Sequence, residues 1–146
     1  MILQTIGFTK KSARQFFDSL KSAKSNLLID IRLNNNSQLS GFTKSEDLAY
    51  FLDEICGCAY IHEINLAPTK ELLDGYRNKR ISWDEYAKRY KELIAQRGIC
   101  DNFIGRFAAY ERVVLLCSEP LPDKCHRRLA AEMLCDANPG VVTEHL

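Results

Sequence analysis

Along this chain, short apolar runs alternate with segments whose apolar residues recur every three or four positions. Leu3 to Gly7 is a short uncharged run with Leu3 and Ile6 as its apolar positions and glycine at its end, which predicts a strand. From Lys10 to Ser22, Ala13, Phe16, Phe17 and Leu20 fall at helical spacing, with Thr9 placed to cap the segment. Leu27-Leu28-Ile29-Asp30-Ile31 is almost wholly apolar, as expected of a strand covered on both faces. A polar loop over 34–41 follows. Thr43 or Ser45 then opens a second helix with Leu48, Phe51, Leu52 and Ile55 on one side.

The second half continues the alternation. Ala59-Tyr60-Ile61-His62-Glu63 reads as a third strand. Pro68-Thr69 precedes a short helix to about Tyr76. Ser82 and Glu85 have capping-box spacing for a longer helix to about Gln96, with Trp83, Tyr86, Ala87, Tyr90 and Ile94 as its buried stripe. Val113 to Cys117 is the fourth strand, Lys124 to Cys135 a helix, and Val141-Val142-Thr143 a last strand. Strands alternating with amphipathic helices imply a mostly parallel sheet with helices on both faces: a Rossmann-like α/β fold, read as one compact domain over 1–146. There is no internal repeat or low-complexity segment.

Composition changes this picture only by exclusion. Twenty Lys and Arg against nineteen Asp and Glu leave a formal charge of +1 over 146 residues. That gives no bulk electrostatic reason for a nucleic-acid or membrane partner. The opening residues lack the charged start and long apolar segment of a signal peptide, and no run approaches a membrane span. The expected compartment is cytoplasmic. There the six cysteines, irregularly spaced, should be reduced thiols rather than a disulfide framework.

In open parallel sheets, ligands bind beyond the carboxyl ends of the strands. That rule selects Gly7 and Thr9, Asp30 and Arg32, His62 and Glu63, and Cys117 and Glu119. The stretch from Val113 to Leu134 concentrates the chemistry. Zinc is disfavoured there, because ligands usually come in spaced pairs, and Cys125 and His126, adjacent on a helix, would point apart. No metal and no cofactor is expected. Asp123, as an N-cap after Pro122, would put Lys124, Cys125 and His126 in the first helical turn, where the dipole favours a Cys125 thiolate. Cys125 or Cys117 could equally pack under the loop.

The same helix start, with Lys124, Arg127 and Arg128, suits a phosphate or carboxylate. Arg127 is preferred because it lies nearer the helix start, and Arg32 would converge from the next strand. Asp30 could act as a base or pair with Arg32. His62 is an acid–base candidate by position, with a structural role as the plainer alternative; His126 and His145 invite the same two readings. Basic stretches around Lys10, Lys11, Arg14, Lys21 and Lys24, and at Arg77, Lys79 and Arg80, are read as solvated faces rather than nucleic-acid contacts.

The strand-end phrases Thr5-Ile6-Gly7, Leu28-Ile29-Asp30-Ile31-Arg32 and Leu115-Leu116-Cys117-Ser118-Glu119, followed by Cys125-His126-Arg127, resemble the Domain of Unknown Function 488 family. Asn65-Leu66-Ala67-Pro68-Thr69, Trp83, Tyr86 and the closing His145-Leu146 extend the resemblance over essentially the whole chain. It implies a compact α/β domain with the motif residues Gly7, Asp30, Arg32, Cys117, Glu119, Cys125, His126 and Arg127 gathered at one site. It implies no reaction. Between Asp30 and Gly41 the chain is poorer in proline and arginine than the family pattern. A fainter likeness, to rhodanese-type sulfurtransferases, rests on Asp-x-Arg ending one strand and a cysteine closing a later one. The longer, proline-bearing loop after Cys117 departs from it.

The leading expectation is an enzyme acting on a small anionic or nucleotide-like substrate in a cleft at the carboxyl ends of the strands. Asp30, Glu119, Cys125 and His126 would serve in catalysis, and Gly7, Thr9, Arg32, Cys117 and Arg127 in binding. Thiol-based sulfur or redox transfer, and a nucleic-acid or protein binding module, are the alternatives.

Overall fold

The computed structural model describes residues 1–36 and 38–146, with backbone only for 38–40. Five strands, β1 (Ile2–Gly7), β2 (Leu27–Asp30), β3 (Ala59–His62), β4 (Arg112–Cys117) and β5 (Val142–His145), form one sheet in the order β3-β2-β4-β1-β5. Every pairing is parallel. Alternation along the buried strands divides the core. Leu27, Ile29, Val113 and Leu115 point to one face; Leu28, Val114 and Leu116 point to the other.

Helices α1 (Ala13–Ser22) and α2 (Ser45–Phe51) cover the second face with Phe16, Phe17, Leu20 and Leu48. Helices α3 (Lys70–Arg77), α4 (Trp83–Arg97), α5 (Phe103–Arg106) and α6 (His126–Ala137) cover the first, through Leu72, Tyr86, Tyr90, Ile94, Phe103 and Leu129. The expected Rossmann-like α/β architecture is what the chain adopts. No helix among the described residues is long and apolar enough to cross a membrane.

Several boundaries differ from expectation for identifiable reasons. Helix α1 is capped by Ser12, not Thr9: Ser12 Oγ accepts from Gln15 N–H at 3.2 Å, and Gln15 Oε1 accepts from Ser12 N–H at 2.9 Å. Thr9 instead donates its hydroxyl to Ser118 O. At α4, Ser82 caps as expected, but Glu85 turns away to pair with Arg89 at 2.7 Å. Helix α6 starts two residues late. Asp123 is not its N-cap, because Cys125 N–H bonds back to Pro122 O at 3.2 Å and closes a turn before the helix begins. The polar loop expected over 34–41 includes Ser37, which lies outside the described residues, and a 3-10 helix runs from Gln38 to Thr43.

Candidate functional site: a cleft over sulfur and imidazole

The site is built where β4 ends and α6 begins. Cys117 closes β4 and lies in register with Gly7 at the end of β1. Gly7 has a steric role there: a Cβ on it would overlap the Glu119 carbonyl oxygen and crowd Arg127 Nη1. Glycine therefore lets the loop after Cys117 lie directly on the end of β1.

Arg127 holds that loop from beneath. It is 1% exposed, and it donates through Nη1 to Glu119 O and through Nη2 to Pro120 O at 3.3 Å. Expected as an anion clamp, it is committed to loop carbonyls and does not line the cleft described below.

Cys125 is the N-cap of α6, with extended backbone (φ −136°, ψ 138°). This overturns the geometric objection that Cys125 and His126 must point apart. Only His126 has helical backbone, and the change of conformation between them lets both side chains face Cys117. One donor atom from each of Cys117, Cys125 and His126 lies within 4.8 Å of the others, and all three residues are buried.

The imidazole orientation follows from hydrogen-bond chemistry. His126 Nε2 lies 3.0 Å from Ile31 O, a pure acceptor, so Nε2 carries the proton and Nδ1 is left with a lone pair. Burial lowers the His126 pKa, which favours the neutral ring. Cys117 Sγ sits 3.6 Å from each ring nitrogen.

The sulfurs differ in the opposite sense to that expected. The Cys125 thiol donates to Cys117, which lowers the Cys117 pKa against the effect of burial; the Ser118 N–H and the Arg127 charge assist. The same hydrogen bond, then burial, raises the Cys125 pKa. Of the pair, Cys117 is the sulfur whose ionisation the surroundings favour, and Cys125 the one they oppose.

Above these groups opens a cleft of about 520 Å³ at the carboxyl ends of β1, β2 and β4. Of the strand-end residues, Thr9, Arg32, Cys117 and Glu119 line it, together with Cys125 and His126, whereas Gly7, Asp30, His62 and Glu63 do not. Its roof comes from α3 and α4. Tyr76 and Arg77 hang over one side, while Trp83 and Tyr86, stacked at 5.3 Å, form a flat wall. Phe8 lies opposite, 5.2 Å beneath the Arg32 guanidinium. Phe8, Tyr76, Arg77, Trp83 and Tyr86 were not singled out from sequence as site residues. The available signal was the long connection from Glu63 to Glu111, more chain than one crossover helix needs.

Asp30 and Arg32 end β2 as a closed unit. Asp30 is fully buried and accepts from Arg32 Nε at 2.8 Å, Arg32 Nη2 at 2.7 Å, Arg32 N–H at 3.1 Å and Tyr60 OH at 2.9 Å. Arg32 Nη2 also donates to Thr43 O at 2.6 Å. The carboxylate expected as a general base is thus saturated and lies outside the cleft lining. His62 is exposed and bonds Arg32 O at 2.8 Å. His145 Nδ1 bonds Thr5 Oγ1 at 2.6 Å, away from the cleft.

A parallel α/β sheet with a ligand-sized cleft over its carboxyl edge is the class that fold and site define. Within that class, the sequence pattern described as Domain of unknown function DUF488 matches residues 12–134, and the chain belongs to this family. No curated protein and no solved structure matches it.

Proposed function

We propose that the chain is an enzyme that takes a small anionic, ring-bearing molecule of nucleotide type into this cleft, with the reacting atom above Cys117. One observation carries the reading: an aromatic wall and basic side chains surround the same mouth. Trp83 and Tyr86 offer a stacking face, and the exposed Arg77 and Lys124 offer mobile positive charge at the rim. Arg32 also lines the cleft, but its charge is paired with Asp30. Glu119, exposed at the mouth, is the carboxylate free to move protons. A cleft of about 520 Å³ lies within the usual range for small-molecule sites.

Trp83 is the only tryptophan in the chain, so its emission reports on the cleft wall directly. Titration with purine and pyrimidine mononucleotides should change that emission saturably. Arg77→Ala and Lys124→Ala should each weaken the response, and inorganic phosphate should compete. No saturable change with any mononucleotide would sink the reading.

A further inference from the structure

The cleft accounts for binding but leaves its floor chemically underused: two sulfurs and an imidazole, buried and converged. The structure assigns to Cys117, Cys125 and His126 a binding site for a thiophilic metal ion, with zinc the best match. Binding itself depends on these three residues alone. That the ion would be the reacting centre rests on the cleft being a substrate site.

Geometry comes first. A tetrahedral zinc with bonds of about 2.3 Å to sulfur and 2.0–2.1 Å to nitrogen keeps its donors roughly 3.5–3.8 Å apart. Cys117 Sγ and His126 Nδ1 already stand 3.6 Å apart, and the whole set falls within 4.8 Å. Because Cys117 Sγ is equally far from Nε2, coordination asks for a turn of the His126 ring that aims Nδ1 at the ion, together with a contraction of the set. Among the described residues no other group of three such donors converges in this way. Elsewhere the sulfurs are engaged singly, as Cys58 with Ala59 O and Cys135 with Thr143 Oγ1.

Orientation is the second argument. Histidines that ligate metals usually donate their other ring N–H to a carboxylate or a backbone carbonyl, which fixes the ring and its tautomer. His126 does this through Ile31 O, which leaves Nδ1 with a free lone pair beside the sulfurs. Arg127 Nη1 stands 3.5 Å from Cys125 Sγ and would donate to that sulfur once it ionised.

Charge is the third. Two thiolates and a neutral imidazole balance a divalent cation, so the complex has no net charge in this buried position. A structural zinc is closed by four protein ligands, whereas catalytic sites have three plus an open position. Here three protein donors meet, and the remaining side is the cleft. The ion would therefore present one exchangeable position, taken by water or substrate.

The test uses the reduced full-length chain, stripped with a chelator and titrated with Zn²⁺ against a chromogenic competitor. One zinc per chain is expected, with protons released as the thiols ionise. Cobalt at the same site should show thiolate-to-metal charge-transfer absorption. Cys117→Ser and Cys125→Ser should each weaken binding by more than the roughly 10–100-fold typical of losing an outer hydrogen-bond partner. Cys135→Ser should leave it unchanged. If a variant does not fold, the wild-type chain still decides: zinc should shield Cys117 and Cys125 from alkylation while Cys56 and Cys135 continue to react. Absence of stoichiometric binding, a cobalt spectrum without the sulfur band, or binding that survives Cys117→Ser and disappears in Cys58→Ser would overturn the site. Zinc binding without any response of Trp83 to anions upholds the metal site and removes the substrate reading; a Trp83 response without zinc binding does the reverse.

Discussion

Two clusters of reactive groups stand at neighbouring strand ends and have opposite characters. At the end of β2, Asp30 accepts four hydrogen bonds from Arg32 and Tyr60 and lies outside the cleft. At the end of β4, Cys117, Cys125 and His126 face one another and also line the cleft. Both clusters meet the positional rule for a ligand site. What separates them is bonding capacity: a carboxylate whose lone pairs are all used holds a backbone together, while donors with a lone pair left over can take a ligand.

The largest expected effect breaks the first cluster. Asp30→Ala strands the buried Arg32 charge, and losing one partner of a buried ion pair costs roughly 3–5 kcal/mol. A steep fall in the urea midpoint, or failure to fold, is expected. Retention of wild-type stability would mean that Asp30 is not a structural residue. Tyr60→Phe removes one of the four bonds at 2.9 Å, and a hydrogen bond to a charged group is worth roughly 1.5–3 kcal/mol. Denaturant unfolding should show that loss, with zinc affinity unchanged.

Gly7→Ala acts between the two clusters by pushing the Glu119 carbonyl off β1. Overpacking of this kind costs typically 1–3 kcal/mol, and here the response of Trp83 to mononucleotides should fall too. Equal stability and an unchanged fluorescence titration would show that the loop adapts freely. The smallest effect on stability belongs to Arg77→Ala. An exposed rim substitution should stay within about 0.5 kcal/mol on melting. Mononucleotide affinity should nevertheless drop about tenfold, equivalent to ~1.4 kcal/mol.

β2 and β4 were legible because their interiors, at Leu27–Asp30 and Arg112–Cys117, are apolar without interruption, whereas β1 buries Gln4 and Thr5. Helix α5, only four residues long, leaves no periodic trace. The start of α6 was misread because Asp123 after Pro122 has the composition of a cap, while the backbone there closes a turn. The floor of the cleft followed from strand-end position, but its roof did not. Trp83 and Tyr86 belong to a stripe that also packs inward, and the same spacing serves a core face and a cleft wall. Metal-ligand spacing misled for a related reason. It counts residues along a regular helix, and the N-cap is where regularity begins.

The strand order carries a last consequence, for how the chain is made. β1 is synthesised first, yet its two neighbours are β4 and β5, the last strands to appear. Until Arg112 and the residues beyond it emerge, a strand with a buried interior has both edges open, although β2 and β3 can already pair. Pairing of residues far apart in the chain is slow, and exposed apolar edges invite association with other chains. Nascent chains cut short before β4 should therefore be the aggregating species, and yield on expression should depend on temperature more than the finished protein's stability suggests.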